Sequence, residues 1–595
     1  MLKSERQIRK ILVANRSEIA IRIMRAATEL GISTVVIYSR EDRFALHRYK
    51  ADESYLVGEG KGPIEAYFDI EDIIRIALEA NVDAIHPGYG FLSENPDFAD
   101  AVVNAGMIFV GPTGDTMRSL GSKVVARKLA LEAGVPVMPA TDPLPELPEG
   151  EAEIKKLAEG IGYPVICKAT WGGGGRGMRV IETADDLISL VEQASREAAA
   201  AFGNGQVYLE KLVRNARHVE VQIMGDLYGN MVHMFERDCS VQRRHQKVVE
   251  RAPAVFLDDE AREFLCQQGI TIAKTADYQC AGTVEFLQDV DSDEIYFIEV
   301  NPRIQVEHTV TEEVTGIDLV QAQILIADGG KIGDIQASGV PAQEDIRLYG
   351  HAIQCRVTTE DPENNFTPDY GRLTAYRSAA GFGVRLDAGT AFTGALITRY
   401  YDSLLVKVTS WASDKTSAAN RMDRALREFR IRGVTTNLRF LESLINHPKF
   451  LAAEYTTNFI DETPELFEFP ERRDRASRLL NFVGNVIVNG NPEVKGHSLP
   501  AHATVPHAQK FGSAEVQPGS KQKLDELGPE KFAQWMLDQE GVLITDTTMR
   551  DAHQSLLATR VRSKDLIDIA PTYAHLLPEI FSMECWGGAT FDVAM

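Results

Sequence analysis

The amino-acid sequence predicts an α/β protein of several domains, with α+β character in part, and two patterns carry this prediction. Residues 8–14, 17–30 and 32–38 form a strand–helix–strand pattern, because apolar residues recur at helical spacing only in the middle segment. Such a unit implies parallel strands. Residues 282–287 and 295–301 are apolar stretches on either side of an Asp-rich turn, which predicts an antiparallel pair.

The bulk composition restricts the classes of function. The chain has 595 residues, enough for several domains, with 44% hydrophobic and 25% charged residues, as is ordinary for a globular protein. The formal net charge of −23 argues against non-specific binding to nucleic acid or to an anionic membrane surface. Six scattered cysteines indicate reduced thiols. No apolar run of about twenty residues and no targeting-peptide pattern occur, so we expect a cytoplasmic protein.

A glycine-rich segment separates two predicted strands. Residues 164–169 are apolar and end beside Lys168, residues 172–177 contain five glycines, and residues 178–181 are strand-like again. Although the run matches G-x-G-x-x-G, a strand on both sides predicts a hairpin and not the strand-to-helix turn of a dinucleotide site. Such a hairpin is suited to covering phosphates with backbone N–H groups; a merely flexible hairpin is the alternative.

Acidic residues gather on the predicted antiparallel pair. Pairing across the turn places Glu285 beside Glu299, and Asn301 shares the face of Glu299. Like carboxylates this close repel unless a cation lies between them, and hard oxygen ligands suit Mg²⁺. Arg303 is a fork-shaped cation suited to a planar anion, and Glu307 is a candidate base. A surface loop with ion pairs is the alternative interpretation.

A basic segment precedes these carboxylates. Between residues 237 and 247 the chain carries four cations, Arg237, Arg243, Arg244 and Lys247. Because the chain is strongly acidic overall, we interpret this local concentration as an anion site; a solvated charged face is the alternative.

The remaining segments are less regular. Strands are expected at 351–357, 373–376 and 404–409, and an amphipathic helix at 417–429. Residues 461–540 have sparse strand signals and one ordered piece at 479–488. Residues 542–551 again predict a strand that opens into a polar loop, and a last strand is expected at 581–585.

The order of these motifs along the chain resembles that in the biotin carboxylase component of biotin-dependent carboxylases, which are ATP-grasp enzymes. The motifs are the glycine hairpin, the basic segment, Glu285 and residues 299–308. The resemblance covers about residues 5–460. Residues 546–560 resemble the opening of the carboxyltransferase barrel in the members of that family that carboxylate pyruvate.

The resemblance implies a domain order. We expect a Rossmann-like N-terminal subdomain (1–122), an ATP-grasp domain (123–330) with a glycine-rich lid at about 137–205, and a C-terminal subdomain (331–460). A linker of the allosteric type (461–540) and the incomplete start of a TIM barrel (541–595) would follow.

The resemblance also implies site residues. For ATP these are Lys123, Lys168, Gly173, Gly174, Gly175, Gly177, Glu210, Lys211, Val213, His218, Gln242 and His245. For the metal they are Glu285, Glu299 and Asn301. The bicarbonate and biotin pocket would comprise Arg303, Gln305, Val306 and Arg356, with Glu307 as general base, and Lys247 would line the phosphate and bicarbonate region as a further catalytic residue. Asp551 matches a carboxyltransferase metal ligand, and Arg550 and Gln554 match pyruvate contacts. Tyr89 and Asp402 lie in matching motifs without an assigned role.

The implied activity is carboxylation of biotin by ATP and bicarbonate through carboxyphosphate, with Mg²⁺ or Mn²⁺, and transfer to pyruvate in the complete enzyme. The family implies a homodimer or homotetramer, and an acyl-CoA activator near 461–540 stays open. Ser17 stands where the family usually has Gly, and Ser at a helix N-cap should preserve the fold. No Ala-Met-Lys-Met motif occurs in the sequence, so biotin should come from elsewhere.

Three alternatives remain at this point. The chain could be another ATP-grasp ligase that joins a carboxylate to an amine, or a non-catalytic nucleotide-binding or assembly fragment. It could also be a stand-alone biotin carboxylase subunit of acetyl-CoA carboxylase, against which residues 546–560 argue.

Overall fold

The computed structural model describes residues 7–121, 123–170, 178–469, 475–491, 493, 495–496, 508–511, 514–556 and 561–587. It divides the chain into two compact units, Met1–Glu471 and Arg472–Met595. The glycines predicted to cover phosphates, at 172–177, lie outside the described residues.

The first unit begins with a parallel α/β layer. Its strands are β1 (Lys10–Val13), β2 (Ser33–Tyr38), β3 (Glu53–Leu56), β4 (Ala84–His86) and β5 (Ile108–Phe109), in the order β3-β2-β1-β4-β5. Its helices are α1 (Ser17–Glu29), α2 (Leu46–Lys50), α3 (Pro63–Ala66), α4 (Ile70–Glu79), α5 (Pro96–Asn104), α6 (Gly114–Gly121) and α7 (Lys123–Glu132). Helix α1 connects the parallel strands β1 and β2, which confirms the predicted strand–helix–strand unit.

A small antiparallel sheet follows. Strands β6 (Val165–Ala169), β7 (Arg179–Ile181) and β8 (Val207–Lys211) pair in the order β7-β6-β8 and pack against helices α8 (Glu151–Ile161) and α9 (Leu187–Phe202). The antiparallel pairing of β6 with β7 agrees with the hairpin predicted from the strands that flank the glycines.

An eight-stranded antiparallel sheet forms the centre of the first unit. Its strands are β9 (Ala216–Gly225), β10 (Met231–Arg243), β11 (Gln246–Ala252), β12 (Cys280–Asp289), β13 (Ile295–Asn301), β14 (His351–Thr358), β19 (Val384–Ala388) and β21 (Leu404–Ala412). They are ordered β13-β12-β9-β10-β11-β14-β21-β19, so one sheet includes strands from both sides of residue 330.

Helices and short strands cover this sheet. The helices are α10 (Asp259–Thr275), α11 (His308–Thr315), α12 (Leu319–Ala327), α13 (Ile335–Ser338), α14 (Lys415–Glu428), α15 (Leu438–Asn446) and α16 (Pro448–Ala452). The short strands are β15 (Glu360–Asp361), β16 (Thr367–Pro368), β17 (Gly371–Arg372), β18 (Ala375–Arg377), β20 (Leu396–Ile397) and β22 (Arg430–Arg432). The strand expected at 373–376 begins at Ala375, and Leu373 before it is buried in an apolar cluster against which Tyr376 of β18 also packs.

The second unit has little buried surface among its described residues. It contains helices α17 (Arg475–Asn489), α18 (Ser520–Leu537), α19 (His553–Ser555) and α20 (Ser563–Leu576), a π-helical turn at Thr548–Ala552, and strands β23 (Thr545–Asp546) and β24 (Ser582–Met583). The ordered piece expected at 479–488 is part of helix α17. Strands β23 and β24 are parallel, with helix α20 between them in sequence. None of the described helices in either unit is long and apolar enough to cross a membrane.

The expectation that Ser17 caps helix α1 is wrong. The N-cap is Arg16, and the cap residue makes no side-chain hydrogen bond to the helix. Ser17 is the first helical residue, and its φ of 58° lies in the left-handed region, where glycine has no steric penalty. This backbone geometry gives a physical reason for the glycine that the family usually has at this position.

Gly389 lies in close contact with the start of helix α1, so a substitution at Gly389 tests the packing between these two segments. A Cβ at Gly389 would clash with the Ser17 hydroxyl and lie 2.5 Å from the Glu18 backbone nitrogen. We expect Gly389→Ala to lower the thermal unfolding midpoint, with a cost of about 1–3 kcal/mol. Gly160→Ala is the control, because nothing lies within 4 Å of its added Cβ in helix α8. Equal midpoints for Gly389→Ala and the wild type would contradict this packing.

Candidate active site

A row of carboxylates crosses one face of the central sheet. Glu285 on β12 lies opposite Glu299 on β13 and opposite Glu220 on β9. Opposed residues of antiparallel strands project to the same face, so all three side chains point the same way. The predicted pairing of Glu285 with Glu299 is confirmed. Sequence reasoning missed Glu220, because the pairing of β9 with β12 joins segments about 65 residues apart and no turn signals it.

A single ammonium group binds three carboxylates at this row. Lys247 Nζ on β11 lies 2.5 Å from Glu220 Oε2, 2.9 Å from Glu285 Oε1 and 2.7 Å from Glu307 Oε1. These three contacts match the three donors of an ammonium group. Three negative charges around it raise the pKa of Lys247 well above its ordinary value despite burial. Lys247 therefore stays charged and holds the carboxylates together.

Glu307 lies between two cations. It is the N-cap residue of helix α11, and its side chain is fully buried. Its second oxygen, Oε2, accepts a hydrogen bond of 3.0 Å from Arg356 Nη2. Burial works against ionisation, but Lys247 and Arg356 keep the pKa of Glu307 below its ordinary value. The predicted base is therefore an ionised carboxylate at neutral pH.

Arg356 has a second carboxylate partner that sequence reasoning missed. Its Nε donates a hydrogen bond of 2.6 Å to Glu250 Oε1, and Gln354 Nε2 donates to the other oxygen of Glu250 at 2.9 Å. Glu250 is fully buried on β11, and burial raises its pKa although Arg356 opposes that shift. The sequence of β11 does not indicate that Glu250 belongs to the site, because the partners of Glu250 lie on β14, about 100 residues later.

The four cations of the basic segment lie in different places. The Arg237 side chain has no exposed surface, and its guanidinium contacts Glu220 Oε1 at 2.5 Å, Gln222, Thr283 and Thr311. Arg243 and Arg244 instead bind Asn365. Lys247 contacts Glu220, Glu285 and Glu307, and Arg237 shares Glu220 with it. Arg237 lies opposite Glu220 in the sheet, whereas Arg243 and Arg244 lie at the end of β10 and contact Asn365, so the four cations do not form one cluster.

Arg303, predicted to bind bicarbonate, is held by neutral groups and one acid. Its Nε lies 2.6 Å from Glu94 Oε1, and its Nη atoms donate to Gln305 Oε1 at 3.0 Å and Asn301 Oδ1 at 3.2 Å. Asn301 Nδ2 donates to Glu285 Oε1 at 2.8 Å. The structure therefore brings Arg303, Asn301 and Gln305 together beside the carboxylate row. Glu94 belongs to the loop after β4 and had no sequence signal.

The predicted ATP-binding residues divide into two groups. His218 Nε2 lies 2.9 Å from Glu285 Oε2, and its Nδ1 accepts from Gln242 Nε2 at 2.6 Å, so both residues join the carboxylate row. Lys168 pairs with Glu210 between β6 and β8.

The other ATP-binding candidates either lie apart from this row or are not among the described residues. Lys211 donates to the carbonyls of Gly162 and Tyr163. His245 lies at the exposed β10–β11 turn with a φ of 63°, and Val213 is half-buried. The side chain of Lys123 and the predicted glycines lie outside the described residues.

A histidine and two carboxylates offer ligand atoms for a divalent cation. His218, Glu220 and Glu285 each offer a ligand atom within 4.8 Å of the others, and Glu299 is in register with Glu285. Carboxylate oxygens on adjacent strands are the donor type that Mg²⁺ and Mn²⁺ prefer. The predicted set of Glu285, Glu299 and Asn301 would share Glu285 with this cluster.

The predicted carboxyltransferase residues are partly assembled within the second unit. Arg550 Nη1 lies 3.1 Å from Asp551 Oδ1, and Arg550 also pairs with Glu584. Ser555 Oγ donates to Asp551 at 3.2 Å, and Gln554 is exposed.

Comparison with known proteins identifies the architecture around this site. Three family models match: biotin carboxylase, N-terminal domain (residues 7–117); carbamoyl-phosphate synthase L chain, ATP binding domain (residues 122–335); and biotin carboxylase C-terminal domain (residues 354–462). A pyruvate carboxylase of Bacillus subtilis is 55% identical over 99% of this chain and 51% of its own length. The chain thus spans about half the length of the curated relatives it matches.

Solved structures give the same result. The structure of Rhizobium etli pyruvate carboxylase with the allosteric activator acetyl coenzyme A matches with a TM-score of 0.76 and 62% identity, over 99% of this chain and 52% of that one. The biotin carboxylase domain dimer of Hydrogenobacter thermophilus 2-oxoglutarate carboxylase, solved with MgADP, ADP and bicarbonate, matches with a TM-score of 0.74 and 42% identity, over 78% of this chain and 99% of that one. The chain therefore belongs to the biotin carboxylase family of ATP-grasp enzymes, and it is a homologue of pyruvate carboxylases over about half their length.

Proposed function

We propose that this chain carboxylates biotin at the expense of ATP and bicarbonate, through carboxyphosphate, as the first half-reaction of a pyruvate carboxylase. The observation that carries the proposal is the ionised Glu307, held between Lys247 and Arg356 at the end of a carboxylate row. A buried base, a hard-cation site and two cations in one place are what activation of bicarbonate by a nucleoside triphosphate requires.

The residues divide the chemistry among themselves. Glu307 takes the proton of bicarbonate, whose oxygen then attacks the γ-phosphate of ATP, so that carboxyphosphate and ADP form. Lys247 faces the negative charge that develops on the transferring phosphoryl group. Glu285 and Glu299, with Asn301 beside them, would hold a divalent cation, and that cation supplies neutralisation of phosphate charge. Arg303 and Gln305 hold the bicarbonate, beside Val306.

Arg356 would serve the second step. Carboxyphosphate breaks down to CO₂ and phosphate, the phosphate takes the N–H proton of biotin, and the resulting nitrogen attacks CO₂. Arg356 stabilises the negative charge on the ureido oxygen during this step. The hydrogen bond of 3.0 Å between Arg356 and Glu307 supports this role, because the acceptor would then bind next to the carbon that Glu307 helps to activate.

The wider assignment follows from the same proposal. Transfer of the carboxyl group to pyruvate, which gives oxaloacetate, would belong to the complete enzyme, with Arg550 and Gln554 contacting pyruvate and Asp551 binding the metal. We propose a homodimer or homotetramer in the cytoplasm. The cytoplasmic assignment is supported by five buried free cysteines, Cys167, Cys239, Cys266, Cys280 and Cys355.

Replacement of the base provides the first test. Glu307→Gln keeps the shape of the side chain but removes its charge, so bicarbonate-dependent ATP turnover with free biotin should fall by roughly 10²-fold or more. ADP release is measured with and without bicarbonate, and Glu260→Gln on the exposed start of helix α10 is the control. Undiminished turnover in Glu307→Gln would remove the assigned role. ATP turnover that depends on an amino acid and not on bicarbonate would favour a carboxylate–amine ligase.

Arg356 distinguishes the two steps. Arg356→Met removes the cation proposed to face biotin and leaves the row formed by Glu220, Glu285 and Glu299. We expect nucleotide affinity to stay within about twofold while carboxylation of free biotin falls by roughly 10²-fold. Nucleotide binding is followed by calorimetry and carboxylation by incorporation of labelled bicarbonate. A parallel loss of nucleotide binding would show that Arg356 serves the fold and not the acceptor.

The charge cluster predicts an unusual pH dependence. The pKa values of Glu220, Glu285 and Glu307 are lowered, so their stabilising effect is present above the ordinary carboxyl pKa and is lost as the pH falls through the folded-state values. Without Lys247 these pKa values rise, and protonation then relieves the repulsion. Lys247→Met should therefore lower the thermal midpoint strongly at pH 7, with a cost of about 3–5 kcal/mol, and less at pH 5.

The matched control for this pH experiment is Lys155→Met, which breaks an exposed i,i+4 pair with Glu151 on helix α8. Its midpoint should match that of the wild type at both pH values, because exposed pairs contribute little. If Lys247→Met lowered the thermal midpoint by the same amount at pH 5 and pH 7, the explanation of the cluster by charge repulsion would be contradicted.

A further inference from the structure

The loop between β13 and α11 has its carbonyl groups held by side chains. Arg303 Nη1 donates to the Ile304 carbonyl at 3.3 Å, and His308 Nδ1 lies 2.7 Å from the Gln305 carbonyl. Lys407 Nζ donates to the Val306 carbonyl at 3.0 Å. Three successive peptide groups are thus oriented immediately before Glu307. Arg303 and His308 belong to the same segment, whereas Lys407 comes from β21, about 100 residues later.

Lys407 is a buried cation at the back of the proposed pocket. Its side chain has no exposed surface, and Nζ lies 3.1 Å from Glu18 Oε2 on helix α1. The Tyr89 hydroxyl donates to the other oxygen of Glu18, and Lys407 Nζ lies 5.7 Å from the centre of the Tyr89 ring. Asp387 is opposite Lys407 on β19 and is paired with Arg385 at 2.8 Å.

The packing alone does not account for this arrangement. Taking an ammonium and a carboxylate out of water costs several kcal/mol, and an apolar pair of similar volume often stabilises a core at least as well. An apolar side chain at position 407 would leave the Val306 carbonyl without this donor. The hydrogen bond to Val306 is therefore the feature that only a cationic or polar side chain provides.

We propose that Lys407 is a positioning residue for the bicarbonate pocket, acting through the Val306 carbonyl; this inference rests on the proposed function. The peptide group between Val306 and Glu307 is planar and trans, so fixing its C=O toward Lys407 fixes the Glu307 N–H in the opposite direction. The same plane sets where the Glu307 side chain begins. Glu18 holds Lys407 in place and thereby connects helix α1 to the loop.

The decisive variant replaces both charges at once. Lys407→Met with Glu18→Gln keeps the volumes of the two side chains, leaves no unpaired charge, and removes the donor to Val306. We expect KM for bicarbonate in ATP turnover to rise roughly 10- to 100-fold, the effect of losing a buried hydrogen bond to a charged group. KM for ATP should stay within about twofold, because the contacts of Lys407 are with Glu18, Val306 and Tyr89, and none of these is a proposed ATP-binding residue.

A matched control removes a different buried ion pair of the same sheet. Arg262 pairs with the fully buried Glu236 on β10 at 3.0 Å, and neither contacts residues 303–308. Arg262→Met with Glu236→Gln should leave both KM values unchanged. The proposal would be overturned if the bicarbonate KM rose equally in the two double variants. It would also be overturned if Lys407→Met with Glu18→Gln kept a bicarbonate KM within twofold of the wild type.

Backbone amide exchange gives a measurement that does not need activity. Exchange at residues 305–307 should accelerate at least tenfold in the Lys407 double variant and stay unchanged in the control. If that variant does not fold, Glu18→Gln alone should raise the bicarbonate KM to a smaller extent, since Lys407 then loses its anchor; no rise would count against the proposal. A wild-type chain without bicarbonate-dependent turnover would refute the proposed function, while unaltered exchange at 305–307 would refute the role of Lys407.

Discussion

The candidate site depends on one ion cluster, the Lys247 ammonium among the carboxylates of Glu220, Glu285 and Glu307. Three buried like charges within hydrogen-bond distance of one atom would not fold together without that cation. The cluster also fixes the ionisation of Glu307, because its carboxylate is stabilised from both sides. The register of β9, β12 and β13, the position of β11 and the start of helix α11 all converge on this point.

The sheet makes the cluster possible by aligning distant segments. Glu220 and Glu285 come from neighbouring strands, Lys247 from a strand two positions further across the sheet, and Arg356 from the strand after that. A one-residue slip in any of these strands would turn its charged side chain to the opposite face. Arg237, buried between Glu220 and Thr283, opposes such a slip, since its donors are satisfied only in the observed register.

The features of this arrangement that depend on local sequence patterns could be predicted. The strand–helix–strand unit and the pairing of Glu285 with Glu299 follow from periodicity and a short turn. Glu220 and Glu250 could not be found, because their partners are set by strand order across long separations. Ser17 was misjudged for another reason: a serine before a helix is typical of an N-cap, whereas its positive φ comes from the tertiary path of the backbone. The burial of Arg237 could likewise not be predicted, because the residue belongs to a segment rich in charged residues, which usually indicates an exposed surface.

Three of the cations expected to bind substrate are engaged with the protein's own carboxylates. Arg303 binds Glu94, Arg356 binds Glu250 and Glu307, and Lys247 binds three acids. An anion that binds to one of these three cations would therefore replace an existing carboxylate partner. Such an exchange of partners would avoid leaving a buried cation unpaired. At Lys247 or Arg356 it would leave Glu307 with fewer contacts to cations. If Glu307 lost its contact with Arg356 or Lys247 to the anion, the pKa that these cations hold low would rise towards its ordinary value, which would strengthen the proposed base.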